Sequence, residues 1–182
     1  MQYSLLWILK VKILRIKDNK VVEAEIINGY KLELPDIHKG WRFDFSKHSK
    51  DNNTSTYALV IKSDPTTIQG CLIYKMREEI EPYMAYIEIA PQNKGNEKEF
   101  ENVAGCLIAY ACRLSFILGK EHYKGWLAFD VLEEKEEDKI KLMTLYSKKY
   151  KAHRFGESTM LIKPEDGEKL IEKFLENNLD IK

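Results

Sequence analysis

Glu88 is the one charged side chain in YMAYIEIA (83 to 90), an otherwise apolar run. A run of that kind fits a strand covered on both faces, where burial would push a carboxyl upward in pKa toward a useful general base. Directly after it, in PQNKGNEKEFENVAGCLIAYACRLSF (91 to 116), a polar loop with Gly95 passes Asn102, Ala104 and Gly105 into an apolar helical pattern. A helix start carries partial positive charge and N–H groups with no internal partner, so small residues there let an anion reach the main chain. A third set lies in MTLYSKKYKAHRF (143 to 155), with Tyr146 and Tyr150 one helical turn apart. Each set also has a plainer reading. Glu88 could meet a salt-bridged edge, Asn102 could be an ordinary helix cap, and either tyrosine could be structural with its hydroxyl at a cleft lip.

The elements that would hold these residues follow from periodicity. Alternation over 7 to 16 and in VVEAEI (21 to 26), with KLEL (31 to 34) after Asn28-Gly29, predicts an N-terminal β-meander over 1–34. Trp41, Phe43 and Phe45 suit a pocket wall or packing against a sheet, and SKHSKDNNTST reads as a mobile surface loop. YALVIK (57 to 62) and IQGCLIYKM (68 to 76) form a hairpin-like pair, followed by the 83 to 90 strand. From Phe100 to Leu118 the helical period places Phe100, Val103, Ala104, Leu107, Ala111, Leu114 and Leu118 on one face, with Gly119 ending the helix. GWLAFDV (125 to 131) is a buried strand. A helix near 137–150 groups Ile140, Met143, Ser147 and Tyr150, two short strands follow, and a closing helix near 165–177 turns Leu170, Ile171, Phe174 and Leu175 inward. The layout is one domain over 1–182 of mixed α/β (α+β) class: a central mixed sheet with helices on both faces, preceded by the meander.

Composition narrows the function. With 29 basic and 29 acidic residues in 182, no global field draws nucleic acid or an anionic membrane. Cys71, Cys106 and Cys112 show no metal-like spacing, and the four histidines are scattered, which speaks against a metal site and for buried thiols in a reducing cytoplasm. The apolar run Leu5 to Leu9 is too short for a signal or a membrane span.

Residues 57–163 resemble the GNAT superfamily, the acetyl-CoA-dependent N-acyltransferases. IEIAPQNKG resembles the family's fourth strand and its Q/R-x-x-G-x-G/A loop, with Glu97 where a small residue is usual. ENVAGCLIAYA resembles the helix start that this loop feeds, set about seven residues further on. GWLAFDV and MTLYSKKYKAHRF resemble the fifth strand and the F-Y-x-K-x-G-F helix end. The meander and the closing segment 164–182 lie outside the resemblance.

The resemblance implies a pyrophosphate cradle from Gln92, Lys94, Gly95, Asn102, Val103, Ala104 and Gly105, and main-chain contacts near Ile89 and Ala90 for the pantetheine arm, where the 83–90 and 126–131 strands would part. It implies Tyr146, or Tyr150 in a shifted register, as proton donor to the departing thiolate, and Glu88 as candidate base. Lys148, Lys149, Lys151 and Arg154 could meet the 3′-phosphate of CoA or form a solvated helix end; EEKEED (133 to 138) could draw a cationic amine or be plain surface. The expected activity is transfer of an acetyl or other short acyl group from acyl-CoA to a primary amine by direct attack, with acetyl-CoA as cosubstrate and an amine-bearing small molecule or protein as acceptor, no nucleic acid or membrane partner, and a homodimer allowed. The alternative is a non-catalytic acyl-CoA-binding or protein-interaction module on the same fold.

Overall fold

A computed structural model describes residues 8–176. Trp7 and most of the N-terminal apolar run lie outside the described residues. The strands are β1 (Ile8–Arg15), β2 (Lys20–Asn28), β3 (Thr54–Ile61), β4 (Asp64–Arg77), β5 (Glu81–Ile89), β6 (Phe100–Glu101), β7 (Leu127–Asp130), β8 (His153–Arg154) and β9 (Thr159–Ile162). The helices are α1 (Phe45–His48), α2 (Val103–Leu118), α3 (Glu136–Tyr150) and α4 (Pro164–Ile171), which runs on into a wide π-turn at Glu172–Glu176. The strands make one sheet in the order β6-β1-β2-β3-β4-β5-β7-β9-β8.

All neighbours are antiparallel except β5 and β7. The crossover between those two contains α2, as a parallel pair requires. Helices lie on both faces. Residues of α2, α3 and α4 share the main core with Ile13, Ile26, Leu59, Leu72 and Phe129. The other face is covered by α1 and its flanking loop, with Trp41 and Phe45 packed on Ala58, Cys71 and Ile73.

The meander has two strands, not three. Asn28 accepts the Tyr30 N–H, Asp36 accepts those of His38 and Lys39, and Pro35 follows the run, so side-chain-capped turns replace a ladder over 29–40. Leu32 and Leu34 drop onto the second core, and β3 takes the place beside β2. The tract read as a mobile loop holds α1 and the start of β3. Phe100 belongs to β6, paired with Arg15 on the outer edge of β1, and not to the helix. Ile140 is 48% exposed, because α3 touches the core through Met143, Tyr146 and Tyr150.

Two glycines of the core are close-approach positions. A Cβ on Gly105 would fall 2.4–2.7 Å from the Phe174 ring, which the π-turn lays on α2. On Gly70 it would fall 2.7 Å from Val103 Cγ1 and 2.9 Å from Leu107 Cδ1. Gly70→Ala therefore overpacks the seam between β4 and α2 by about 1–3 kcal/mol. Thermal denaturation should show this as a Tm several degrees lower; an unchanged Tm would mean that α2 is not seated there.

Candidate active site

The parallel pair β5 and β7 is joined at one register position, Tyr83 with Ala128. At the splay, β5 carries a bulge: the register with β4 steps from Tyr74↔Met84 to Ile73↔Tyr86, leaving Ala85 without an opposite number. The extra residue re-aims the strand. Met84, Ile87 and Ile89 consequently pack against the helical core, while Tyr86 and Ala90 pack on the other face.

Beyond the bulge the polar edge of β5 is open on the β7 side. The Ala90 N–H donates to Gln69 O at 2.9 Å, and the register runs through Gly70↔Ile89, Cys71↔Glu88 and Leu72↔Ile87. Antiparallel alternation then directs the main-chain groups of Ala90, Glu88 and Tyr86 toward β4, and those of Ile89 and Ile87 toward the gap left by β7. Main-chain groups at that depth need partners.

The open edge leads to the first turn of α2, since Val103 lies against Gly70, the cross-strand partner of Ile89. Asn102 sits in the left-handed region at φ 72° and makes no side-chain cap bond. The Cys106 N–H is taken by Asn102 O at 2.9 Å. The N–H groups of Val103, Ala104 and Gly105 thus have no hydrogen-bond partner among the described residues, as is usual for a helix start that awaits one.

A cleft of about 300 Å³ fills the splay. Tyr146 closes it from the helical face, its ring edge-on to Phe129 at 4.9 Å. The Tyr146 hydroxyl makes no hydrogen bond among the described residues, and burial pushes the phenol up to about 12, the charge of Glu133 adding to the shift and that of Arg42 opposing it. On the opposite face, the Tyr83 hydroxyl donates to Asp130 Oδ2 and Thr159 Oγ1 to Asp130 Oδ1, both at 2.7 Å. Arg42 spans the mouth, giving Nη1 to Glu133 at 2.5 Å and Nη2 to Leu132 O at 2.9 Å.

No protein-family model matches the sequence, and no curated protein matches it. Solved structures do share its architecture. The crystal structure of the KacTA–DNA complex contains a chain with TM-score 0.54 and 14% identity, covering 82% of this chain and 99% of its own. A mutant of the AtaT toxin bound to the C-terminus of the antitoxin AtaR matches with TM-score 0.52 and 12% identity over 81% and 97% of the two chains. AtaTR bound with AcCoA matches with TM-score 0.47 and 17% identity over 69% and 76%. The chain shares the overall fold of the first two.

Within this fold the predicted site residues divide. Tyr146 lines the cleft, Ile89 lies on the open edge, and Val103 and Ala104 begin the uncapped helix. Tyr150 is buried among core residues, with its ring 6.3 Å from Phe174. Gly105 is small because Phe174 covers it. Gly95, at φ 75°, has nothing within 4 Å of a Cβ position and turns an exposed loop. Gln92 Nε2 and Asn93 Nδ2 both donate to Gln69 Oε1, at 3.3 and 3.0 Å, and Asn93 Oδ1 accepts the Phe100 N–H. The loop's side chains hold the loop itself.

Glu88 is buried, as its setting predicts, but is not part of the cleft lining. Its carboxylate accepts the N–H of Arg42 at 2.9 Å and of Phe43 at 3.0 Å and pairs with Lys94 at 2.5 Å. It fastens the covering loop and Lys94 to β5, which leaves neither residue poised as the resemblance implied. Sequence reasoning passed over Tyr83, Asp130 and Arg42, and met Glu133 only as the first residue of the acidic run EEKEED. The one usable signal was Asp130, a single charge ending the apolar strand GWLAFDV. Burial pushes the thiols of Cys106 and Cys112 up to about 12 and raises Cys71 as well, so none offers a thiolate nucleophile near neutral pH.

Proposed function

We propose that the protein is an acyl-CoA-dependent N-acyltransferase in which an amine attacks the thioester directly. The observation that carries this reading is the continuous polar track along β5: free main-chain groups at Ile87 and Ile89 suit the amides of a pantetheine arm, and the uncapped start of α2 suits a diphosphate. The thioester then lies in the splay beside Tyr146. The amine nitrogen bonds to the acyl carbon, the C–S bond breaks, and the sulfur takes a hydrogen bond from the Tyr146 phenol.

Magnitudes limit what Tyr146 does. A phenol at about 12 facing a thiol of about 8.5 makes complete proton transfer uphill by roughly 5 kcal/mol. The apolar wall narrows that gap by raising the thiol too. Tyr146 therefore acts as a hydrogen-bond donor that stays protonated throughout the working range and passes its proton only as solvent replaces it.

Calorimetric titration with acetyl-CoA and desulfo-CoA, followed by thiol release across a panel of primary amines, tests the reading. Saturable binding of both ligands and amine-dependent release of thiol are expected. No heat at millimolar ligand would overturn the CoA assignment; binding without thiol release for any amine would leave a binding module in its place.

A further inference from the structure

We propose that Asp130 is the group that docks the acceptor's ammonium and takes its proton. This rests on the acyltransferase reading and names the acid–base partner of the attacking nitrogen. Asp130 ends β7 inside the cleft. It is next to Phe129, and successive strand residues face opposite ways. Phe129 turns toward Tyr146, so Asp130 meets the cleft from the other face, beside Tyr83. An acyl carbon in the splay would then have the departing sulfur on the Tyr146 side and the entering nitrogen on the Asp130 side.

The charge pattern fits that duty. Both oxygens of Asp130 are held by neutral hydroxyls, Tyr83 OH and Thr159 Oγ1, which fix the carboxylate and leave two of its four lone-pair positions open. The cations around the cleft do not pair with it. Arg42 is engaged by Glu133, and Lys75 makes no ion pair with Asp130. Arg77 lies over the Tyr83 ring at 4.1 Å and gives Nε and Nη2 to Glu81; the charge of Asp130 reaches it, but the two form no ion pair. The other carboxylates of the cleft have cationic or titratable partners, Glu133 with Arg42 and Asp51 with His48 at 3.4 Å. Tyr83 is held protonated, burial first and then Asp130 raising its pKa, so it remains a donor. Tyr83, Tyr86 and Phe43 line the cleft beside this carboxylate, with Arg77 over the Tyr83 ring, Arg42 over the Phe43 ring and His48 stacked on Tyr86.

The proton balance is complete. The ammonium gives one proton to the Asp130 carboxylate, the freed lone pair forms the C–N bond, and the C–S bond breaks with its electron pair on sulfur. The second nitrogen proton leaves to solvent as the amide forms, and the sulfur is protonated on the Tyr146 side.

The first arm of the test needs no known acceptor. Wild-type protein is titrated with methylammonium chloride and, separately, with sodium chloride at equal ionic strength, while the Asp130 side-chain carboxyl is followed by carbon NMR. A saturable shift specific to methylammonium, abolished in Asp130→Asn with the Tyr83 and Thr159 signals in place, is the expected result. No such shift in the wild type overturns the proposal. In the second arm, with an amine found to release thiol, Asp130→Asn should lower kcat/KM by about 10²–10⁴-fold at unchanged acetyl-CoA affinity. Its rate should climb about tenfold per pH unit up to the amine's own pKa, where the wild type is flat while Asp130 is ionised and the amine protonated. A parallel profile in both proteins would reduce Asp130 to a structural group. Loss of acetyl-CoA binding in the wild type would instead fail the acyltransferase reading, with the ammonium site still measurable.

Discussion

Tyr146→Phe is expected to lower amine-dependent thiol release by about 10²–10³-fold and to leave the affinity for acetyl-CoA unchanged. The substitution removes one oxygen and keeps the ring that packs at 4.9 Å on Phe129, so the cleft wall stays in place. Because the hydroxyl has no hydrogen bond among the described residues, its loss orphans no buried partner, and Tm should hold. Since burial holds the phenol at about 12, its ionisation contributes no falling limb to the wild-type rate at any pH below about 10. Unchanged turnover in the variant, or a wild-type rate that falls between pH 8 and 10 for want of a phenolic proton, would remove Tyr146 from the mechanism.

The second large effect is on stability. Glu88→Ala strips the acceptor from the N–H groups of Arg42 and Phe43 and from the Lys94 ammonium. The glutamate side chain is 5% exposed, so the main-chain donors it leaves cannot recruit bulk water freely. Orphaned buried donors cost about 1–3 kcal/mol each, while the Lys94 ammonium, 43% exposed, is left to water. A total near 3 kcal/mol corresponds to a Tm lower by roughly 6–12 °C for a domain of this size. The covering loop should also gain hydrogen exchange at Arg42 and Phe43, because Glu88 is what ties it to β5. A variant with wild-type Tm and unaltered exchange at those amides would show that the node is not structural.

These two residues show where sequence reasoning reaches and where it stops. The strand–loop–helix–strand order was legible because α2 is buried along most of its length and β5 is buried or half-buried throughout, and burial writes its period into the chain. Tyr146 was legible through the resemblance of its helix end. Glu88 was correctly singled out as a charge in an apolar strand, yet its duty is set by Arg42 and Phe43, more than forty residues earlier, and no local pattern carries that pairing. The Arg42–Glu133 clasp spans 91 residues and is invisible for the same reason. KLEL has the alternation of a strand, but capped turns on either side outcompete the ladder. Gly105 was read as making room for a phosphate, whereas the crowding comes from Phe174 in the closing segment.

Residue-resolved amide hydrogen exchange with and without acetyl-CoA reads the polar track along β5 and into α2 amide by amide. Saturable protection is expected at Ile87 and Ile89 on the open edge of β5 and at Val103, Ala104 and Gly105 at the start of α2. Acetyl-CoA binding that protects other amides and leaves these five unchanged would contradict it.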